Sequence, residues 1–257
     1  MKYDFSQTLI KASCVGQLVT APRLKKDREA GLLGSTAKSM LIKVYGWEKY
    51  GRRDDLRTKA IKKGLQVEEE AITLIAKLDK YPYKKNETRL NNKWFTGEPD
   101  IYKGISIKKA DRIIDAKSSW DLATFLSAIK TFLNKDYFSQ GQVYCDLANC
   151  SEFEISYCLI NTPQVLINDE KKKLFYSMGV ATDQNPDYLA ACEELERNMT
   201  FDDIPDEEKR IKFEIQRDKE FIQMAREKVV KGREWLEEFQ DLHLSGGAIN
   251  LNQDEEE

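Results

Sequence analysis

The chain has almost no histidine: there is one, His243, among 257 residues, and it lies near the C-terminal end. A serine or cysteine nucleophile that relies on an imidazole base therefore has no such base in the central part of the chain. Histidine-rich zinc sites are excluded for the same reason. Any chemistry must therefore use carboxylates, lysine, tyrosine, or a hard metal ion bound by oxygen atoms.

Cysteine is also scarce, and its spacing indicates no structural metal site. The five cysteines are Cys14, Cys145, Cys150, Cys158 and Cys192. Their number is odd and no pair has the CxxC spacing, which favours reduced thiols in a reducing compartment. The alternative is an iron–sulfur cluster, for which four thiolates must meet in space. Against it, Cys145 is predicted in a helix and Cys158 in a strand.

Long apolar runs are missing as well. No run approaches the roughly 20 residues that a bilayer crossing needs, and the first residues, MKYDFSQTLIKAS, lack the apolar core of a signal peptide. Hydrophobic residues make up 41% and charged residues 33%, which is typical of a globular chain rather than a disordered one. We therefore expect a cytoplasmic protein without membrane contact.

The apolar periodicity predicts helices on both sides of a central block of strands. The predicted elements are a helix-prone segment over 22–63 broken near Gly31, Gly34 and Gly51, an amphipathic helix from Gly64 to about Leu78, a β-hairpin or meander over 87–117, helices over 121–133 and 136–148, a strand over 153–159, and helices over 185–198 and 206–240. We expect an α/β (α+β) fold, with a central mixed sheet flanked by helices and helical N- and C-terminal additions. One domain would span 1–245, with its core at about 64–162 and a C-terminal helical region at about 184–242. Residues 246–257 would form a flexible acidic tail.

The most informative residues are two aspartates and a lysine in the predicted strands. Asp115 and Lys117 lie two positions apart and so share one face of a strand. Asp100 follows Pro99 on the neighbouring strand segment. Two ionised carboxylates repel each other unless a cation lies between them, so the pattern predicts a Mg²⁺ site that cuts a phosphodiester, with Lys117 beside it. The alternative is an exposed ion pair of Asp115.

Glu68 is a further candidate ligand. It shares a helix face with Ala71 and Ile75 at positions i, i+3 and i+7, and this face is apolar. A carboxylate on such a face needs a partner, and the metal site would supply one. The alternative is a glutamate at the edge of the core that reaches solvent.

A stripe of four residues on the predicted helix over 136–148 carries another candidate. Tyr137, Gln140, Tyr144 and Leu147 recur at helical spacing. A buried glutamine on such a face can hydrogen-bond a catalytic carboxylate or the lysine and fix its position. The alternative is a polar residue at the boundary of the core.

A basic segment is the best candidate for contact with phosphate. The segment from Lys43 to Lys63 contains eight lysines and arginines but only three acidic residues, whereas the net charge of the whole chain is −3. Such a segment is either a local phosphate-binding face or an ordinary solvated helix surface. Arg52 and Arg53 lie in its middle.

Combined, these motifs resemble a known pattern. Glu68, Pro99-Asp100, Asp115-Ala116-Lys117 and Gln140-xxx-Tyr144 are similar to the motifs of the PD-(D/E)XK nuclease superfamily. A narrower resemblance, to the phage lambda exonuclease-like family (YqaJ-like viral recombinases), rests on Ile10-Lys11-Ala12-Ser13, Gly64-xxx-Glu68-xx-Ala71, Tyr137-xx-Gln140 and Arg217-Asp218-Lys219-Glu220. Two features depart from the pattern: the family often has Glu at the position of Asp115, and its members need not have Tyr144.

The resemblance implies a restriction-endonuclease-like core and a set of site residues. Mg²⁺, for which Mn²⁺ would substitute, would be bound by Glu68, Asp100, Asp115 and the carbonyl of Ala116. Lys117 and Gln140 would complete the catalytic group. Ser13 would contact the phosphate of the DNA end, and the remaining DNA contacts would come from Arg52, Arg53 and Tyr144.

The resemblance also implies an activity, partners and, for a phage-encoded protein, the host cell cytoplasm as its location. The expected activity is 5′–3′ resection of linear duplex DNA, giving 5′-phosphate products, in single-strand-annealing recombination. The expected partners are double-stranded DNA ends, a single-strand annealing protein, and further copies of the chain, possibly as a ring with a basic inner surface. A structure-specific or restriction-like endonuclease would use the same residues. A fold that only binds DNA is the remaining alternative.

Overall fold

The computed structural model describes residues 2–53, 58–131 and 134–246. Its strands are β1 (Ile10–Lys11), β2 (Leu90–Asn91), β3 (Phe95–Gly97), β4 (Ile101–Gly104), β5 (Ala110–Ser118), β6 (Glu152–Cys158) and β7 (Arg210–Gln216). Its helices are α1 (Val15–Leu18), α2 (Lys25–Glu29), α3 (Ser35–Tyr50), α4 (Lys59–Gln66), α5 (Glu68–Asp79), α6 (Leu122–Thr131), α7 (Lys135–Ala148), α8 (Gln164–Met178), α9 (Pro186–Arg197) and α10 (Lys219–Leu244).

The larger sheet has four strands in the order β4-β5-β6-β7. Its central pair, β5 and β6, is parallel, and both outer pairs are antiparallel. A parallel pair needs a long crossover between its strands, and here α6 and α7 form it. A smaller sheet, β1-β3-β2, lies next to the start of β4. The predicted mixed α/β core flanked by helices is confirmed.

Helices cover both faces of the larger sheet, as the alternation along β5 requires. Ile113 belongs to the apolar cluster that includes residues of α7, and Ile114 belongs to the cluster that includes residues of α5. The α7 side is tightly packed at Gly141, where a Cβ atom would lie 1.9 Å from the Phe153 ring. Side chains of β5 at odd-numbered positions near Ile113 therefore face α7.

The long C-terminal helix α10 holds the N-terminal segment against the core through hydrogen bonds. Asp218 caps it by accepting a hydrogen bond from the Phe221 amide. Further along, the buried guanidinium of Arg233 donates to the carbonyls of Thr8 and Lys93. These bonds hold the residues before β1 against the loop between β2 and β3.

Several sequence predictions need correction. The segment predicted as one helix over 206–240 contains strand β7 and only then helix α10, because Ile211, Phe213 and Ile215 alternate with polar residues. Helix α8 and strand β1 were not predicted, whereas β2, β3, β4 and β5 all begin within the predicted hairpin or meander over 87–117. The helix predicted from Gly64 is interrupted at Val67, between α4 and α5. The predicted breaks in the segment 22–63 are confirmed.

Two predictions lie outside the described residues. These are the acidic tail, apart from its first residue Gly246, and the last two positions of the helix predicted over 121–133. None of the helices described above combines the length and apolarity that a bilayer crossing needs.

Candidate active site

The pairing of β4 with β5 places the two aspartates opposite each other. Ile101 pairs with Ile114 in this antiparallel ladder. Extending the register by one residue sets Asp100 across from Asp115, and opposed residues of neighbouring strands project to the same face. This face carries α7. Both carboxylates therefore lie between the sheet and α7, near the end of β5.

Lys117 joins the aspartates through an ion pair. Its ammonium contacts the Asp115 carboxylate, whose residue is only 3% exposed. The Asp100 carboxylate accepts a hydrogen bond of 2.8 Å from the backbone amide of Ala116. Strand β5 thus contributes one carboxylate, one ammonium and one amide to a single cluster, and the residue before β4 contributes the second carboxylate.

The charges of this cluster are unbalanced. Burial and the nearby Asp115 carboxylate raise the pKa of Asp100 to about 8, although Lys117 and the Ala116 amide act in the opposite direction. Burial lowers the pKa of Lys117, but the charges of Asp115 and Asp100 outweigh it and the net pKa is raised. Two carboxylates therefore compete for one lysine, and a further cation between them would be favourable.

Helix α7 covers the cluster with polar aromatic side chains. The Tyr137 ring lies 4.8 Å from the Lys117 ammonium. The Gln140 amide donates to the Tyr144 hydroxyl at 2.8 Å, which in turn donates to the Glu98 carbonyl at 3.3 Å. The hydrogen bond predicted from Gln140 to a carboxylate or to the lysine is therefore replaced by one to Tyr144.

Tyr144 approaches the backbone beside Asp100 very closely. A Cβ atom at Gly97 would lie 2.7 Å from the Tyr144 ring, so this contact requires glycine. Burial and the charge of Asp115 raise the pKa of Tyr144, so its hydroxyl remains a donor. Ser13 lines the same small cleft as Gly97, Glu98 and Tyr144. The structure thus brings two of the predicted DNA contacts, Ser13 and Tyr144, to the edge of the aspartate–lysine cluster.

Glu68 lies at the first position of α5 and is three-quarters buried. Its carboxylate forms an ion pair of 2.7 Å with Lys85. Its charge is the last of the influences on the pKa of Asp100, which it raises. The direct contact of Glu68 is therefore with Lys85 rather than with the aspartate–lysine cluster.

The donor atoms fit a hard cation that retains water and substrate ligands. Within residues 2–53, 58–131 and 134–246, no three Asp, Glu, His or Cys side chains form a ready-made metal cage. Mg²⁺ is usually held by one or two carboxylates together with waters and substrate phosphates. Asp100 and Asp115 supply two such carboxylates, and the raised pKa of Asp100 marks a site that lacks positive charge.

The predicted basic segment does not form one surface. Lys63 is fully buried and donates to the Trp120 carbonyl at 3.0 Å, so it is not part of a phosphate-binding face. Burial lowers its pKa to about 8. Arg52 and Arg53 are exposed between α3 and α4, and Arg53 lines a cleft next to β1. Arg57 lies outside the described residues.

Asn86 is a site residue that the sequence motifs did not reveal. It is 5% exposed, its amide group donates to the Pro99 carbonyl at 2.9 Å, and its backbone amide donates to the Asp100 carbonyl at 2.7 Å. These bonds fix the backbone that carries Asp100. In the sequence Asn86 is a single asparagine in a polar segment, and no motif marks it. Tyr137, which also contacts the cluster, was found as part of a helical stripe.

Solved structures share this architecture. A phage-related exonuclease from Haemophilus somnus 129PT is 28% identical to the chain, with a TM-score of 0.73 over 92% of this chain and 97% of that protein. The alkaline exonuclease LHK-Exo from Laribacter hongkongensis, also solved in complex with dAMP, is 14% identical, with a TM-score of 0.60 over 95% of each chain. At that identity the second similarity shows the fold alone.

No family model and no curated protein matches the chain. The similarity in fold nevertheless extends over almost the whole length of both solved proteins. The resemblance to the lambda exonuclease-like family that the motifs indicated is thereby confirmed.

Proposed function

We propose that the protein is a Mg²⁺-dependent DNA exonuclease that resects linear duplex from the 5′ end. One observation carries this proposal: the Asp100 carboxylate bonds the backbone amide of Ala116, next to Asp115, and the Lys117 ammonium pairs with Asp115. The similarity to a phage-related exonuclease over 97% of that protein's length supports DNA as the substrate.

The residues of the chain have separate tasks in this reaction. Asp100 and Asp115 would hold the ion, with the Ala116 carbonyl and Glu68 as further candidate ligands. When bound, Mg²⁺ would activate a water molecule and offset charge on the scissile phosphate. Lys117 stays protonated because Asp115 and Asp100 raise its pKa, so its ammonium can stabilise negative charge that develops on that phosphate.

Residues at the edge of the cluster would position the DNA end. The Gln140 amide and the Glu98 carbonyl hold the Tyr144 hydroxyl between them. Ser13 is exposed in the same cleft and is the proposed contact of the terminal phosphate. Hydrolysis in which the 3′-oxygen is the leaving group would give a 3′-hydroxyl on the released nucleotide and a 5′-phosphate on the remaining strand. We also propose that several copies of the chain form a ring with a basic inner surface. An annealing protein would then receive the exposed strand.

Linear duplex labelled at either the 5′ or the 3′ end tests the proposal. The wild-type protein with Mg²⁺ should release the 5′ label as a mononucleotide early, whereas the 3′ label should stay in long products. EDTA should abolish release. Loss of the 3′ label first would contradict the polarity, and degradation in EDTA would contradict the metal dependence.

Covalently closed circular duplex separates the exonuclease from an endonuclease on the same core. The proposed enzyme needs an end, so closed circles should survive until a restriction enzyme linearises them. Cutting of closed circles at a rate similar to that of linear DNA would favour the endonuclease. Binding of DNA without any cleavage would favour a non-catalytic module.

A further inference from the structure

A second cleft adjoins the candidate active site and has no role in the proposed chemistry. It has a volume of about 460 Å³ and lies between β1, α3 and β3, in the range of about 300–1,000 Å³ that is usual for ligand pockets. Lys11, Arg89 and Thr96 line both this cleft and the smaller one that contains Ser13 and Tyr144. The two clefts are therefore parts of one continuous depression.

One cationic side chain in this cleft, Lys11, is not paired with a carboxylate of the described residues. Among the described residues no carboxylate lies within ion-pair distance of the Lys11 ammonium, which instead lies 4.5 Å from the centre of the Trp47 ring. Burial and the neighbouring charges of Arg53 and Arg89 lower the pKa of Lys11. An anionic group near Lys11 would remove both penalties.

The acidic side chains of the cleft are already engaged elsewhere. Glu48 accepts a hydrogen bond from the Tyr3 hydroxyl at 2.9 Å, and Asp4 accepts one from the backbone amide of Ser6. Arg89 is paired with Glu98 at 2.8 Å, on the side of the candidate active site. Within the part of the chain that the structure describes, no carboxylate therefore forms an ion pair with Lys11, and the charge of Glu48 acts on its pKa only as a minor influence.

A buried hydroxyl group provides an independent indication of a ligand. Thr8 lines the cleft and is 5% exposed, and its Oγ1 atom has no hydrogen-bond partner among residues 2–53, 58–131 and 134–246. A buried hydroxyl without a partner costs free energy, so it usually bonds to water or to a ligand. The carbonyl of the same residue is held by Arg233, which fixes the position of Thr8 at the wall of the cleft.

We infer that this cleft is a nucleotide subsite, in which Lys11 and Arg53 contact a phosphate, the Thr8 hydroxyl bonds a polar group of the nucleotide, and Trp47 contacts the base or sugar. The combination of cations, an aromatic ring and a free hydroxyl matches a nucleotide better than a simple anion. The inference rests on the proposed function, because it places the subsite beside the point of cleavage. The nucleotide is either a released 5′-mononucleotide or a unit still joined to the strand.

Binding to the metal-free protein tests the inference without any catalysis. The full chain is labelled with 5-fluorotryptophan, and the signal of Trp47 among the four tryptophans is assigned with Trp47→Phe. In EDTA, dAMP should shift the Trp47 signal saturably and leave that of Trp120 unchanged. Thr8→Val should weaken dAMP binding about two- to tenfold, which corresponds to one hydrogen bond, and Lys11→Met should weaken it by about tenfold or more.

The controls separate a local effect from misfolding. Thr8→Val removes a hydroxyl that bonds none of the residues that the structure describes, so the variant should unfold at the same temperature as the wild type or higher. Thr73→Val is the matched control, because that hydroxyl only bonds the Glu69 carbonyl on an exposed part of α5. It should leave the affinity for dAMP unchanged.

Further ligands distinguish the two sources of the nucleotide. Tighter binding of dAMP than of 5′-phosphorylated tetradeoxyadenylate would identify a product subsite, and the reverse order would identify a strand subsite. Either result supports the inference. It is overturned if dAMP leaves the Trp47 signal unmoved, if Thr8→Val binds dAMP as the wild type does, or if inorganic phosphate binds as tightly as dAMP. A failure of the proposed function is separate, because it would appear as a lack of DNA cleavage by the wild type with Mg²⁺.

Discussion

Arg210 is the residue on which the stability of the main sheet should depend most. It lies at the start of β7, its side chain is 5% exposed, and its guanidinium bonds three acceptors. These are the Asp79 carboxylate at 2.6 Å, the Glu154 carboxylate at 2.5 Å and the Ser156 hydroxyl at 2.9 Å. Glu154 is fully buried, so Arg210 supplies most of its compensating charge.

The cost of Arg210→Met follows from what remains around Glu154. The nearest other cation is Arg112, with an N···O distance of 3.4 Å, which is too long for a strong bond. Breaking a buried ion pair from one side costs about 3–5 kcal/mol of the free energy of unfolding. For a chain of this size the loss corresponds to about 6–20 °C in the melting temperature.

Thermal and urea unfolding followed by circular dichroism measure this loss. Lys212→Met on the same strand is the control, because its pair with Glu214 is about half exposed and should contribute less than about 1 kcal/mol. The double variant Arg210→Met/Glu154→Gln should recover part of the stability, since it no longer buries an unpaired charge. A loss below about 1 kcal/mol for Arg210→Met would refute the reasoning.

Three further predictions concern the candidate active site and its support. Asp100→Asn should stabilise the protein in EDTA. Because the pKa of Asp100 is raised in the folded state, the wild type loses stability as the pH rises from about 4 to about 8. The difference in the free energy of unfolding between variant and wild type should therefore grow by up to about 1.4 kcal/mol per pH unit in this range and stay constant below pH 4. A constant difference across pH would contradict this. Gly141→Ala should cost about 1–3 kcal/mol in urea unfolding, because its Cβ would overlap the Phe153 ring, and Phe153→Leu should recover part of the loss; an unchanged midpoint would disprove the close contact. Tyr137→Phe should retain kcat on saturating DNA, whereas Tyr137→Leu should lose about tenfold, because only the ring faces the Lys117 ammonium; equal values for both variants would argue against the ring contact.

The sequence predicted the parts of the fold that have a clear local pattern. The alternation over Phe153 to Leu159 predicted β6, and the apolar spacing around Ala71 and Ile75 predicted α5. Strand β7 also has an alternating pattern, but Pro205 and the charged residues around it were interpreted as the start of a long helix. The two-residue strands β1 and β2 have too few residues for any periodicity and exist because β3 pairs with both.

The candidate site was predictable in its motifs but not in its partners. Spacing alone placed Asp115 and Lys117 on one face, and Asp100 on a neighbouring strand segment. The register of β4 against β5, which sets the aspartates opposite each other, depends on tertiary packing. The ion pair of Glu68 with Lys85 and the bond of Gln140 to Tyr144 depend on side-chain positions that no spacing rule determines.

The most direct test of the central claim is the single-turnover rate of Mg²⁺-dependent degradation of linear duplex by Asp115→Asn. Asp111→Asn is the matched control, because Asp111 is exposed on the same strand and lies outside the cluster. We predict that Asp115→Asn loses at least about 10²-fold in rate while remaining folded, and that Asp111→Asn degrades DNA as the wild type does. Equal rates for Asp115→Asn and the wild type would show that the opposed aspartates do not form the active site.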